Sequence, residues 1–379
     1  MAQFDVVVVG LGAMGSAALY QLARRGVRVV GVERLVPGHD QGSSHGESRI
    51  IRLGYFEHPS YVPLLRRTYA LWRELEAASG TKLLHITGIA EIGPPDGEVV
   101  AGTLAASRLH GLLHEVMDAA ETMRRFRAFK IPPDHVGVFQ PDGGFIAVEP
   151  AIAAMIAQSQ AAGADIRTST AALSVAQHGG GVRVQTTQGD IDARSAVIAA
   201  GPWIKTLLPD VPAPLRITRQ VMGWFQPLDP APFAAGRFPV FLLESRHGVH
   251  YGFPPFASGA IKVARHHHAD ETVDPDRFGR AVSAADEALI RAALAGHIPA
   301  ANGALAAAKT CLYTVTPDSH FLIDRHPRNE RVLVVSPCSG HGFKHSAGIG
   351  EAVAELATAG RSACDLAPFG LDRFALSTA

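Results

Sequence analysis

The 379-residue chain contains only three cysteines, Cys311, Cys338 and Cys364, and no C-x-x-C pair. A zinc knuckle, a thioredoxin-type redox centre and a disulfide scaffold are therefore excluded, and a reducing cytoplasm is the expected compartment. Charge of one sign is missing too. Thirty-five Lys and Arg balance 35 Asp and Glu, so no basic footprint for nucleic acid is present. No secretory leader is legible in Met1-Ala2-Gln3-Phe4-Asp5, which has no basic residue. The longest uncharged stretch, Val6 to Ala23, is broken by Gly10, Gly12 and Gly15, so it reads as strand, turn and helix rather than a membrane span. What remains is 47% hydrophobic and only 18% charged, enough to bury a large core across two or three domains. Glycine is plentiful at 38 residues, which points to tight turns and to backbone lying close against a ligand.

Much of that glycine is patterned. Val6 to Val9 is a β-branched run suited to a central parallel strand. Gly10-Leu11-Gly12-Ala13-Met14-Gly15 follows as G-x-G-x-x-G and opens a helix at Ala17, Ala18, Leu19 and Leu22; Val27 to Val32 is the next strand, ending at Glu33. Backbone amides freed by such glycines can close on a pyrophosphate at the helix N-terminus, while a carboxylate at Glu33 can accept from ribose hydroxyls. The pattern says dinucleotide. Gln41 to Arg52 is a small polar loop carrying Ser43, His45, Arg49 and Arg52; the spacing of the two arginines places them on one side of a helical turn, where an anion would relieve their repulsion. Ser195 to Ala200 is an apolar strand ending in small residues before Gly201-Pro202. Near the C-terminus a strand at Arg331 to Val335 leads through Ser339-Gly340-His341-Gly342-Phe343-Lys344 into an Ala-rich helix reaching about Ala359, a second anion-friendly helix start. His266-His267-His268 cannot all point one way, so an exposed loop with one pocket histidine is expected there, and no metal site.

These residues resemble the monomeric sarcosine oxidase and N-methyltryptophan oxidase family of D-amino-acid-oxidase-like flavoproteins. The resemblance rests on GLGAMG (10–15), SSHGESRIIR (43–52), AAGPW (199–203), HYGFPPF (250–256), KTCLYTVTPDSHF (309–321) and SGHGFKHSAGIGE (339–351). It implies an α/β fold: a Rossmann-like FAD-binding domain from 1–85, 140–215 and 305–379, and a substrate domain on a mostly antiparallel sheet from 86–139 and 216–304. It implies FAD attached covalently through Cys311, with Gly10, Gly12, Gly15, Glu33, Ser43, His45, Gly201, Gly340, Gly342, Phe343 and Lys344 around the cofactor. Arg52 and Lys344 match the pair holding a substrate carboxylate, and Tyr251 a pocket tyrosine. Lys262 matches the lysine that activates oxygen, Arg49 an arginine beside the flavin, and His266 and Tyr313 residues lining the pocket. Partners would be a small N-methyl amino acid and oxygen, with no nucleic acid or membrane, and the protein would be a monomer. Two departures stand out: Ser48 replaces the usual threonine, and Pro337-Cys338 stands where Gly and an aromatic are common, which bears on pocket size.

The expected reaction is oxidation of a secondary N-methyl amine to an imine, which water splits into formaldehyde and a primary amino acid while oxygen becomes hydrogen peroxide. The same motifs admit a cyclic imino acid or an Amadori-type sugar amine as substrate. They also admit a flavin dehydrogenase passing electrons to another acceptor, against which Lys262 and the lack of a basic amphipathic segment weigh. An RNA-modifying flavoprotein is disfavoured by the zero net charge.

Overall fold

The computed structural model describes residues 3–378, with side chains through Phe374. In chain order the first half runs β1 (Phe4–Val9), α1 (Ala13–Ala23), β2 (Val29–Val32), β3 (Ser48–Ile51), α2 (Val62–Ser79), β4 (Leu84–Ile86), β5 (Ile89–Gly93), α3 (Glu98–His110), β6 (Glu115–Asp118), α4 (Ala119–Arg125), β7 (Val136–Gln140), β8 (Gly144–Ala147), α5 (Val148–Ala161) and β9 (Asp165–Arg167). There follow β10 (Ala172–His178), β11 (Gly181–Thr186), β12 (Ile191–Ile198), α6 (Ile204–Leu207), β13 (Arg216–Phe225), β14 (Val240–Ser245), β15 (Gly248–Phe253), β16 (Ile261–Arg265), α7 (Ala284–His297), β17 (Leu305–Val315), β18 (Leu322–His326), β19 (Asn329–Ser336) and α8 (Ser346–Ala359).

Three sheets result. The first has β1 at its centre, parallel to β2 on one edge and to β12 on the other. β9 continues it beyond β2, and β19 runs parallel to the second half of β12. The β10–β11 hairpin and β18 add antiparallel strands at the margins. The continuous valine run of β1 suits a strand covered on both faces, and Val6 to Val9 are all buried. One face is covered by α1 and α8, which approach closely: a Cβ at Gly350 would lie 2.6 Å from the Ala17 backbone. The second sheet also has eight strands, in the order β17-β13-β16-β15-β14-β5-β7-β6. Its neighbours are antiparallel except β14 and β5. The third is a small antiparallel sheet, β3-β8-β4.

An α/β fold with a Rossmann-like sheet and a mostly antiparallel second sheet is thus what the chain forms. One edge differs from the sequence-based division, which placed all of 305–379 with the first sheet. β17 is paired with β13 from Leu305 to Val315, so the antiparallel sheet extends to Val315 before the chain crosses back. Apolar residues recur at helical spacing over Thr68 to Ala78, which lies within α2, and over Ser283 to Ala295, where α7 starts on a capping box between Ser283 and Asp286. Among the described residues no helix is long and apolar enough to cross a membrane.

Candidate functional site

A long cavity runs from the C-terminal ends of β1 and β2 to the face of the antiparallel sheet. One end is walled by Gly10, Gly12, Ala13, Met14, Glu33 and Arg34. Crevices outside the carboxyl ends of parallel strands are where open α/β sheets bind dinucleotides. Local backbone explains why glycine is needed. Gly10 has φ +87°, and a Cβ there would meet the Ala199 carbonyl at 2.7 Å; a Cβ on Gly15 would lie 1.7 Å from the Gly10 oxygen. The turn is therefore tight enough to bring the α1 N-terminus against the cavity. Glu33 binds the turn from behind, accepting from the Leu11 N–H at 2.8 Å and the Leu35 N–H at 2.9 Å. Burial would raise its carboxyl, but His39 and these two N–H groups hold it below the ordinary value, so it stays ionised.

The 42–49 loop forms the adjoining wall through Gly42, Ser43, Ser44 and Arg49. The buried hydroxyl of Ser43 and both ring nitrogens of His45 have no hydrogen-bond partner in the protein. Burial and Arg49 push His45 down to about 3, so its ring is neutral. Unpaired polar atoms of this kind, beside a glycine turn that admits no Cβ, fit a dinucleotide with a polar ring system, and FAD is of that form. Gly201, Gly340, Gly342 and Phe343 line the same space. Gly201 and Gly340 adopt φ +52° and +83°.

Arg49 and Arg52 do not sit on a helical turn. Arg49 is on the strand Ser48–Ile51, paired with β8, and Arg52 follows it; both side chains line the cavity, at different points along it. Arg49 donates to the carbonyls of Ser48 and Ser43 at 2.9 and 3.0 Å. Arg52, just beyond the strand, is 2% exposed and stacks over Tyr55 and Phe56. Its Nε donates to Glu91 at 3.0 Å and its NH2 to Glu57. Neither carboxylate was singled out from the sequence. Burial would raise Glu57, but Arg52, His341 and Lys344 outweigh it and hold the group low.

Lys344 faces the same region. Its Nζ donates to the His341 carbonyl at 2.7 Å and the Tyr55 hydroxyl at 3.3 Å. Burial, then Arg52, pulls it down from 10.5 to about 7. His341 Nε2 lies 2.9 Å from the Ser319 carbonyl, which can only accept, so Nδ1 is the acceptor for Tyr55 Oη at 2.6 Å. Tyr251, His266 and Tyr313 close the cavity at this end, with the rings of His266 and Tyr313 5.8 Å apart. Burial and His267 leave His266 neutral, its value driven well below the ordinary one. The expected exposed histidine loop is only half right: His267 is partly buried, but His268 is buried and contacts Asp286, which Arg219 also holds. Among the described residues no three His, Cys, Asp or Glu side chains group as a metal site.

Lys262 and Cys311 lie behind the cavity wall. Lys262, 1% exposed, donates to the carbonyls of Gly46 and Ser48 at 2.6 Å each and contacts Ser48 Oγ at 3.4 Å. Burial, then Arg49, pulls it well below the usual lysine value. The loop it grips is held from the other side, where Glu149 accepts from the N–H groups of Gly46 and Glu47, and Glu47 itself is left-handed at φ +69°. Cys311 is buried on β17 among Met222, Trp224, Ala264 and Tyr313. Burial raises its thiol, while Arg49 nearby favours the thiolate. Cys338, one of the departures noted in the sequence, is on the cavity wall itself, its sulfur accepting from the Thr314 N–H at 3.4 Å.

Comparison with known proteins places this arrangement. The family described as FAD dependent oxidoreductase (DAO) matches residues 5–356. Monomeric sarcosine oxidase of Bacillus sp. (strain NS-129) is 38% identical, the match covering 98% of this chain and 97% of the relative. N-methyl-L-tryptophan oxidase of Yersinia pestis (strain Pestoides F) is 33% identical over 98% of this chain and 99% of its own. Among solved structures, NikD, an unusual amino acid oxidase essential for nikkomycin biosynthesis, has a TM-score of 0.86 at 26% identity over 98% of both chains. L-proline dehydrogenase from P. horikoshii shares the fold, with a TM-score of 0.85 at 20% identity over 99% of both.

Proposed function

We propose that this chain, which belongs to the FAD dependent oxidoreductase family, oxidatively demethylates a secondary N-methyl amino acid of the sarcosine or N-methyltryptophan type. The overall reaction consumes the amine, oxygen and water, and releases formaldehyde, the primary amino acid and hydrogen peroxide. Bound FAD supplies the two-electron redox chemistry between the N–CH bond and oxygen. The observation that carries the reading is the buried Arg52–Lys344 pair at the far end of the cavity from the glycine turn, beside Tyr251, His266 and Tyr313.

A carboxylate entering that end loses its hydration, and only charge-assisted hydrogen bonds offset the loss. Arg52 offers a planar fork and Lys344 a point charge, so the two together fix one end of an amino acid. Anchoring there sets the N-methyl group along the cavity toward Arg49 and the 42–49 loop. Orientation of this sort contributes several kcal/mol to a bimolecular reaction. Tyr251, Tyr313 and neutral His266 exclude water from the amine end. Lys262, caged by three oxygens next to Arg49, is suited to offset negative charge and to give up a proton at Nζ while oxygen is reduced. Cys311 is the proposed tether to FAD, with Arg49 supporting the thiolate; Gly10, Gly12, Gly15, Glu33, Ser43, His45, Gly201, Gly340, Gly342 and Phe343 form the rest of the cofactor bed. We place the protein in the cytoplasm as a monomer on the strength of its cysteine usage and its relatives.

A peroxide-coupled screen tests the function. Sarcosine, N-methyltryptophan and other N-methyl amino acids are compared with dimethylamine, which has no carboxylate. Peroxide and formaldehyde in equal amounts from one of the acids, and none from dimethylamine, is the expected result; equal turnover of dimethylamine would remove the carboxylate anchor. Acid precipitation tests the tether. Yellow colour should stay with the chain in the wild type and wash away in Cys311→Ser; colour retained in that variant would point to Cys338.

A further inference from the structure

Glu91 has no place in the roles above, and the fold does not need it. It sits in the middle of β5 with no exposed surface, and its cross-strand neighbours are Leu242 on β14 and Val138 on β7. A leucine or valine would complete that layer. A buried carboxylate there is costly unless its charge is used, and replacing such groups with apolar residues is often neutral or stabilising. One of its oxygens accepts from Arg52 Nε at 3.0 Å; the other has no partner within hydrogen-bond distance, its nearest candidate being the equally unpaired hydroxyl of Thr103. Arg52 does not lack a counter-ion without it, because Glu57 already pairs with its NH2.

We propose that Glu91 is a positioning residue for the anionic end of the substrate: it holds Arg52 through Nε while Glu57 takes one NH2 hydrogen, leaving NH1 and the other NH2 hydrogen to the incoming carboxylate, and it takes up a proton as that carboxylate enters. The inference rests on the assignment of Arg52 and Lys344 as the carboxylate site. A guanidinium gripped at Nε can meet a carboxylate bidentately only along its outer edge, which fixes the direction of approach. Charge gives the second half. With no substrate bound at pH 8.5, Arg52 faces Glu57, Lys344 has shed most of its proton and Glu91 is mostly ionised. A substrate carboxylate adds one negative charge to this buried end of the cavity, and two groups can answer it with a proton, the Lys344 amine and the unpaired oxygen of Glu91.

The groups facing Glu91 agree. Arg52, Glu57 and Lys344 are the charged ones, with Thr103 of α3 and Tyr69 of α2 as neutral neighbours. Burial outweighs the pull of Arg52 and Lys344 and pushes Glu91 up to about 8, whereas Glu57 is held low and stays ionised. An added negative charge nearby raises Glu91 further. Carboxylate affinity should therefore fall above pH 8, by up to tenfold per pH unit for one linked proton. Lys344 exchanges its own proton near pH 7, so Glu91 is read from the difference between two proteins at higher pH.

The experiment uses the FAD-loaded enzyme and acetate. Calorimetry at pH 8.5 in two buffers of different ionisation enthalpy counts protons taken up per acetate, and the flavin spectrum reports the dissociation constant from pH 6.5 to 9.5. The wild type is expected to take up a large part of one proton and to weaken above pH 8. Glu91→Gln, which mimics the protonated form, should take up distinctly less proton at pH 8.5, leaving only the share of Lys344, and its acetate affinity should fall less steeply between pH 8 and 9.5. Glu91→Leu keeps the neutrality but lets Arg52 swing, so it should bind acetate several-fold more weakly at every pH. No uptake in the wild type, or equal uptake in Glu91→Gln, overturns the proposal, the former even if the variants fail to fold. Arg52→Gln separates the two readings: unchanged acetate binding in that variant removes the carboxylate site itself, and the proposal with it. Loss of acetate binding in Arg52→Gln with unaltered proton uptake in Glu91→Gln removes only the role of Glu91.

Discussion

Lys344→Met should make the protein more stable and the enzyme worse. Lys344 is 5% exposed, and burial together with Arg52 takes it from 10.5 to about 7. That displacement corresponds to about 5 kcal/mol set against folding. The sign follows from linkage. The unfolded chain keeps its proton up to the ordinary lysine value, whereas the folded chain sheds it near pH 7, so the cost is fully present below pH 7 and fades as pH rises toward 10. Methionine fills a similar volume without charge. It forfeits the hydrogen bonds to the His341 carbonyl and the Tyr55 hydroxyl, at roughly 2 kcal/mol for the two, while Tyr55 Oη keeps His341 Nδ1 and His345 Nε2. The net expectation is a gain of about 2–3 kcal/mol at pH 6.5 that vanishes near pH 9 and becomes a loss of about 1 kcal/mol at pH 10. Urea unfolding of the FAD-loaded proteins at pH 6.5, 8 and 10 measures it, with KM for the best N-methyl amino acid taken in parallel. KM should rise about 10- to 100-fold, the worth of one charge-assisted hydrogen bond. A variant less stable at pH 6.5, or a stability gap indifferent to pH, would refute the reasoning.

Three other substitutions probe separate parts of the molecule. Gly15→Ala should yield protein with little or no FAD, because the new Cβ would lie 1.7 Å from the Gly10 oxygen and the turn must open; normal flavin content by absorbance would contradict this. Lys262→Met should leave flavin reduction by substrate within a few-fold in anaerobic stopped flow while slowing reoxidation by air about 100-fold, and equal slowing of both steps would deny it an oxygen-specific role. Asp286→Ala removes the partner of both Arg219 and His268, and should cost about 3–5 kcal/mol in chemical unfolding, with a loss under 1 kcal/mol counting against the pair.

The cofactor end of the cavity could be read from the chain because its determinants are local. Gly10, Gly12 and Gly15 and the β1–α1–β2 order lie within one short stretch, and backbone sterics at those glycines dictate the turn. The far end was only partly legible. Arg52 and Lys344 stood out as residue types, but Glu57 and Glu91 became part of the site through packing, and nothing in the stretch around Glu91 distinguishes it from a strand with one polar residue. Arg49 and Arg52 misled for the opposite reason. Their spacing suits a helix, yet Ser48–Ile51 is a short strand whose conformation is set by its ladder with β8. β17 showed the same limit: its residues fit either sheet by pattern, and its pairing with β13 decided the matter. His268 was hidden likewise, since its partner Asp286 belongs to the start of α7, beyond a proline-containing loop.

The close seating of α8 on α1 has a consequence for the order in which the protein is made. The turn at Gly10 is packed against Ala199, and α1 is covered by Gly350 from the other end of the chain. A ribosome delivers the amino-terminal half of this bed some 300 residues before the helix that closes over it. The nascent chain must carry an unfinished parallel sheet, with the face of α1 that meets α8 uncovered, until nearly the whole polypeptide has emerged. Cofactor capture is thus a late event in the life of each molecule, and truncations near the carboxyl end should behave as flavin-free, aggregation-prone products rather than as smaller working enzymes.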